Sequence, residues 1–288
     1  MRALVVIPSF NEEDALPAVL ADVARATQLL APRHELTTLV IDDGSRDQTA
    51  AVARQHGARV LRLCSNLGIG GAVQAGLRVA LREGFDCALQ LDGDGQHRAE
   101  DLGLLLAGLE GSGPGGLDGS AAGGQGGADL VVGSRYVDRV GFQSTTLRRA
   151  GKGFLSRVLR AATGLRLSDP TSGFRGFGRR SLLVFDRVFP YDFPEPESLS
   201  LAHAFALRVL EVPVTMRERK SGQSSIRGLT TAWYMLKVTA AIVLDLLRAR
   251  RLALTEEQTW NRSPGTGSLP SSASASSSPS SASSRGSA

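Results

Sequence analysis

The sequence predicts an α/β protein in which helices flank a mostly parallel central sheet. Three observations carry that prediction. Short apolar runs alternate with helix-length stretches through the first half of the chain. The central runs are close to continuously apolar, as strands covered on both faces are. Turns rich in acid or glycine follow them directly. In open sheets of this kind ligands gather beyond the carboxyl ends of the strands, so chemistry is expected in those turns.

Ala3–Ile7, Leu36–Ile41, Arg59–Leu63, Cys87–Leu91 and Leu130–Val132 read as strands. Ala15–Leu30, Thr49–His56, Gly70–Arg82 and Ala99–Leu109 read as the helices between them, and Ser198–Leu207 as a later helical run. Residues 111–127, GSGPGGLDGSAAGGQGG, are too glycine-rich to bury apolar surface and are expected to form a disordered insertion. Leu229–Leu252 is the most apolar long stretch, but Lys237 and Asp245 interrupt the roughly 20 apolar residues a membrane span needs. It is expected to pack on the main domain or to lie in a membrane interface, and Arg248, Arg250 and Arg251 suit a helix end or anionic headgroups equally. The expected organisation is a main domain over 1–227, an apolar helix over 228–254 and a low-complexity, disordered tail over 255–288.

Composition narrows the function. With 42% hydrophobic and 21% charged residues in 288, collagen-like, coiled-coil and wholly disordered readings fail. The net charge of +5 is a modest excess without the concentrated basic stripe of a nucleic-acid binder, so no nucleic-acid partner is expected and phosphate-bearing ligands or an anionic membrane fit better. Cys64 and Cys87 have neither metal-site spacing nor the number for a disulfide framework, as suits a reducing cytosol. The opening MRALVVIPSFNEE runs from a short apolar stretch straight into acid, unlike a signal peptide, and a cytoplasmic location is expected.

Three turns carry candidate chemistry. Pro8–Glu13 and Asp42–Asp47, at the ends of the first two strands, bring together acids and amides able to accept hydrogen bonds from a base edge and ribose hydroxyls; Asn11, Ser45 and Asp47 could equally cap helices. After the fourth strand comes Asp92-Gly93-Asp94-Gly95-Gln96-His97. Two carboxylates spaced by glycine can reach one cation, and hard oxygen ligands suit Mg²⁺ or Mn²⁺, which keep positions open for substrate phosphates. Gln96 could add a carbonyl oxygen and His97 an imidazole or merely a loop side chain; an ordinary Asp/Gly turn is the competing reading. Asn66–Gly71 is not a dinucleotide fingerprint, which belongs in the first strand-helix turn. Gly68 and Gly70 are expected instead to border a diphosphate at a helix amino terminus.

The segments VVIPSFNEE, VIDDGSRDQT, NLGIGGAVQAG, LQLDGDGQH, VVGSRY, DPTSGFRGF and RERKSGQSS occur in this order over roughly residues 3–225. Together they resemble glycosyltransferase family 2, with the GT-A nucleotide-diphospho-sugar transferase fold, and within it the dolichyl-phosphate mannosyltransferase-like polyprenyl-phosphate glycosyltransferases. The resemblance implies an inverting, divalent-metal-dependent enzyme moving a sugar from a nucleoside-diphosphate sugar to a lipid phosphate or saccharide. By position it makes Asp92 and Asp94 the metal pair, extended by Gln96, with Asp94 counted as catalytic. Asp43, with Asp42, becomes the nucleotide-recognition acid, and Pro8, Asn11 and Glu12 the first loop. Arg135 and Arg175 match basic positions facing phosphate, and Arg219 and Ser224 a loop that closes over donor or acceptor phosphate.

Phe193-Pro194-Glu195-Pro196-Glu197 departs from the simplest family pattern. Pro196 and Glu197 suit a first helical turn, while the wider family places an acid beside the acceptor. Glu197, and after it Glu195, are therefore candidate general bases for an acceptor hydroxyl. A phosphate acceptor is already anionic and needs none, so both acceptor classes stay open. Of the competing functions, a sugar-nucleotide nucleotidyltransferase would carry a glycine-rich basic segment where PSFNEE stands. A non-catalytic nucleotide-sugar-binding protein would show degraded acidic motifs, and these are intact.

Overall fold

The structure, a computed structural model, describes residues 1–112, 127–135, 146–217 and 237–241. Strand β1 (Arg2–Ser9) is followed by α1 (Leu16–Leu30), β2 (Glu35–Asp42), α2 (Thr49–Gln55), β3 (Arg59–Arg62), α3 (Gly68–Arg82) and β4 (Cys87–Gln90). A 3₁₀ turn (Ala99–Asp101) leads into α4 (Leu102–Glu110), then β5 (Leu130–Ser134), α5 (Thr146–Thr163), β6 (Arg175–Gly178), α6 (Arg179–Arg187), α7 (Pro194–Ala204) and β7 (Val209–Pro213). Helix α1 begins with Pro17 in its first turn and stops before Pro32, which cannot continue it. Helix α4 ends on Gly111 in the left-handed conformation, the usual helix stop.

The described strands form one sheet in the order β3-β2-β1-β4-β6-β5-β7. Strand β1 is parallel to both β2 and β4, and its alternation divides the core. Ala3, Val5 and Ile7 face α1 and α4, packing with Leu16, Val19, Leu20, Leu102 and Leu105. Leu4 and Val6 face α3, α6 and α7, packing with Val73, Leu77, Phe185 and Leu199. Residues covered on both faces explain why β1 reads as an unbroken apolar run.

The five expected strands and four helices of the first half are all present, with ends shifted by one or two residues, and the fourth helix opens as the 3₁₀ turn. Strands β6 and β7 and helices α5 and α6 were not anticipated. Strand β6 lies antiparallel between β4 and β5, so the sheet is mixed in this half. The later helix starts at Pro194 instead of Ser198, which places both Glu195 and Glu197 in its first turn.

Of the apolar segment expected over 228–254, residues 237–241 are described; they are helical, and Val238 is buried with Leu155 of α5. Among the described residues no helix is long and apolar enough to cross a membrane. Most of the glycine-rich insertion and the whole tail lie outside the described residues.

Candidate active site

The chain leaves β1 to one side for β2 and β3, then returns to the other side for β4. That reversal opens a crevice at the carboxyl ends of β1 and β4, where open α/β sheets bind ligands. Register then decides what stands there. Ser9 pairs with Asp42, and the Asp43 N–H donates to Ser9 O at 2.9 Å. On the other flank the Leu91 N–H donates to Val6 O at 3.1 Å, bringing Asp92 out beside Pro8 and Ser9. The resulting cleft, about 840 Å³ including its open mouth, is lined by Pro8, Ser9, Phe10, Glu12, Asp43, Ile69, Ala72, Asp92, Gly93, Asp94 and Glu195. Five of these side chains are carboxylates, drawn from four separated stretches of the sequence.

Asp92 and Asp94 stand on one wall, either side of Gly93. The Asp94 Oδ1 accepts the Gln96 N–H at 3.0 Å, which closes the turn, and the Gln96 carbonyl accepts the Arg217 N–H at 2.8 Å. His97 is buried behind the turn with Nε2 at 3.1 Å from Asp92 Oδ2. Among the described residues no group of three or more His, Cys, Asp or Glu side chains converges as a closed metal cage. Two hard carboxylates at an open cleft are a donor set that fits Mg²⁺ or Mn²⁺ sharing its remaining positions with diphosphate oxygens.

The acids after β2 divide their work. Asp42 is fully buried and structural: its Oδ1 accepts the Ser45 N–H at 2.9 Å and its Oδ2 lies 3.2 Å from Arg62 Nε. Asp43 faces the cleft, and its two oxygens accept the N–H groups of Leu67 at 2.7 Å and Gly68 at 2.9 Å, at the start of α3. Burial raises the Asp43 carboxyl above its ordinary value; those two N–H groups oppose the rise and neighbouring Asp42 adds to it.

Several site expectations are corrected here. Gly68 does sit at a helix amino terminus with φ +77°, but its N–H is committed to Asp43 instead of a diphosphate. Gly70 is needed for packing: a Cβ there would lie 2.3 Å from Pro190 O and 2.7 Å from Tyr191 Cα. Asn11, at φ 53°, ties the first two loops together by accepting the Arg46 N–H on its Oδ1 at 2.9 Å and does not line the cleft. Asp47 accepts the N–H groups of Glu13 and Thr49, the local bonding that competed with a ligand role in the sequence.

Arg175 is the largest departure. It is 1% exposed and faces protein on every side: Nε donates to Ser172 O (2.8 Å), Nη1 to Ser198 Oγ (2.5 Å), and Nη2 to Pro170 O (3.2 Å) and Glu195 O (2.7 Å). It is a brace between the loop before β6 and the first turn of α7, not a phosphate-facing side chain. Burial pulls its pKa down to about 10, while the carboxylates of Glu195, Asp169 and Asp92 hold it up. Arg135 is mostly buried, with Nε donating to Asp169 Oδ2 at 2.7 Å.

Glu195, not Glu197, lines the cleft. The two are separated by about 200° around a helix, and Glu197 turns into the protein at 7% exposure. Burial raises the Glu195 carboxyl above its ordinary value, with the Arg175 guanidinium opposing the rise. Arg219 and Ser224 lie outside the described residues. Ser9, Phe10, Ile69 and Ala72 line the cleft without having been singled out in the sequence, although all four lie inside motif segments read there for other residues.

Residues 4–183 match the family model for glycosyl transferase family 2. The chain is 30% identical to a polyprenol monophosphomannose synthase of Mycolicibacterium smegmatis, over 82% of this chain and 85% of that protein. It is also 30% identical to an undecaprenyl-phosphate mannosyltransferase of Micrococcus luteus, over 83% and 93% respectively. A crystal structure of Mycobacterium tuberculosis glucosyl-3-phosphoglycerate synthase with Mn²⁺, uridine diphosphate and glucosyl-3-phosphoglycerate superposes with a TM-score of 0.58 at 21% identity, over 86% of this chain and 79% of that one. At that identity the likeness shows the fold, which is GT-A.

Proposed function

The chain belongs to glycosyl transferase family 2, and from that premise we propose that its cleft moves a sugar, with inversion, from a nucleoside-diphosphate sugar to a polyprenyl phosphate. One observation carries the reading: Asp43, Asp92, Asp94 and Glu195 converge at the β1/β4 crevice of a glycosyltransferase fold. The relatives named for polyprenol and undecaprenyl-phosphate substrates supply the acceptor class.

Asp43, Glu12 and Pro8 form the nucleoside end of the cleft, where carboxylates accept hydrogen bonds from base and ribose. Asp92 and Asp94 would hold Mg²⁺ or Mn²⁺, with Gln96, whose N–H closes the same turn on Asp94, the candidate third ligand. A cation held there would supply positive charge against that growing on the nucleoside diphosphate as the sugar departs. Arg135, held after β5 by the buried carboxylate of Asp169, is the candidate for a second positive charge on the diphosphate. An anionic phosphate acceptor attacks the anomeric carbon from the face opposite the diphosphate and brings its own charge, so no base is required.

A hydroxyl acceptor is the second reading, favoured by Glu195, a desolvated carboxylate in the cleft that could take the hydroxyl proton. The test is a transfer screen over nucleotide sugars with Mn²⁺ or Mg²⁺, run with polyprenyl phosphate and with soluble saccharides. Product only on the lipid phosphate supports the first reading, and product only on saccharides the second. A lipid acceptor also requires the protein to meet a membrane, through Arg248, Arg250 and Arg251 on anionic headgroups. Sedimentation with anionic vesicles at low salt and release at high salt is expected; no sedimentation at either salt contradicts it.

A further inference from the structure

We propose that His97 is a positioning residue for Asp92, holding that carboxylate in the orientation that takes a divalent cation. This rests on the reading that Asp92 and Asp94 form the metal pair. His97 lies on the protein side of Asp92: the imidazole is 2% exposed while the Asp92 side chain is 33% exposed toward the cleft. Because Nε2 meets a carboxylate oxygen at 3.1 Å, it carries the proton and donates it to Asp92 Oδ2. The other ring nitrogen, Nδ1, is buried without a hydrogen-bond partner, a cost an apolar residue filling the same space would avoid. The ring is held in plane by stacking on Phe174, with centroids 5.1 Å apart and an interplanar angle of 18°.

Gly173 confines the carboxylate from another direction. A Cβ at that position would lie 2.7 Å from Asp92 Oδ2 and 2.9 Å from Oδ1. Adjacent residues Gly173 and Phe174 therefore shape one device, the first leaving room for the carboxylate and the second fixing the imidazole that orients it. The loop carrying His97 is itself tied down by the isolated bridge between His97 and Met216. A hydrogen-bond donor behind a metal-ligating carboxylate sets its direction and basicity, and losing such a partner typically weakens metal binding about 10–100-fold.

The experiment measures Mn²⁺ binding to the full chain by electron paramagnetic resonance, alongside melting temperature, for wild type, His97→Ala, His97→Gln, Gly173→Ala and Asp94→Ala. His97→Ala should weaken Mn²⁺ binding about 10–100-fold, and His97→Gln, whose amide N–H can take the place of Nε2–H, should recover most of it. Gly173→Ala should weaken binding with little loss of melting temperature, because the atoms it meets are the end of a flexible side chain. His97→Phe, measured in the same way, fills the space and keeps the stacking on Phe174 but has no donor; it should weaken binding as His97→Ala does and decides the matter if His97→Ala does not fold. Wild-type affinity in His97→Ala, or in His97→Phe where His97→Ala is unfolded, while Asp94→Ala has lost Mn²⁺, would overturn the role of His97 and leave the metal pair standing. Wild-type protein that takes up no Mn²⁺, or Asp94→Ala that binds it normally, would overturn the metal reading and this proposal with it.

Discussion

Replacing Arg175 by methionine separates a brace from a phosphate ligand. The substitution keeps apolar volume but removes donors to three carbonyls and the Ser198 hydroxyl, all inside the protein. It also strips Glu195, Asp169 and Asp92 of a nearby compensating charge. The four bonds are not additive; breaking a buried charged network by removing one partner costs about 3–5 kcal/mol. At about 2–4 °C per kcal/mol for a domain of this size, the melting temperature should fall by about 6–20 °C. The assay pairs thermal melting with nucleoside-diphosphate binding at a temperature where the variant remains folded. The brace predicts a large stability loss with donor affinity little changed. An unchanged melting temperature with donor binding lost would refute the reasoning and return Arg175 to the phosphate.

Gly70→Ala places a Cβ 2.3 Å from Pro190 O, a backbone atom that cannot swing away, and should cost about 1–3 kcal/mol, read as a lower urea midpoint. Glu195→Gln should lower turnover on a hydroxyl acceptor by about 10²–10⁴ and much less on a phosphate acceptor. If Glu195 acts as a base it must be deprotonated, so activity on a hydroxyl acceptor should fall on acidification at a pH above the ordinary 4.5 of a glutamate. Folding raises this carboxyl, so at neutral pH its charge is a destabilising term that is relieved as pH falls through the folded value. Glu195→Gln should accordingly melt higher than wild type near pH 7, and the gap should close in acid.

What was legible in the sequence is what local pattern determines. Strands β1 and β2 read clearly because β1 and the second half of β2 are buried, and the acids that follow them stand at the strand ends by chain connectivity alone. The Asp92 and Asp94 pair was legible for the same reason. Strand β6 was not, since Arg-Gly-Phe-Gly has two glycines in four residues and owes its extended form to pairing with β4 and β5. Arg175 beside a motif reads as a ligand until the carbonyls of Pro170, Ser172 and Glu195 are seen to surround it. The choice between Glu195 and Glu197 depends on the rotation of α7 about its axis. That rotation is set by Leu199, Leu201 and Ala202 packing into the core and leaves no trace in the acids themselves. Gly70 failed likewise, because its neighbour is Pro190, distant in sequence.

The central claim is that the crevice beyond β1 and β4 carries sugar transfer from a nucleoside-diphosphate sugar. The most direct measurement is mass-spectrometric detection of glycosylated polyprenyl phosphate formed by wild type and Asp94→Ala with a panel of nucleotide sugars and Mn²⁺, each repeated in excess chelator. The account predicts product from wild type with at least one donor, none from Asp94→Ala although it melts like wild type, and none in chelator. Product formed by folded Asp94→Ala at the wild-type rate would contradict it.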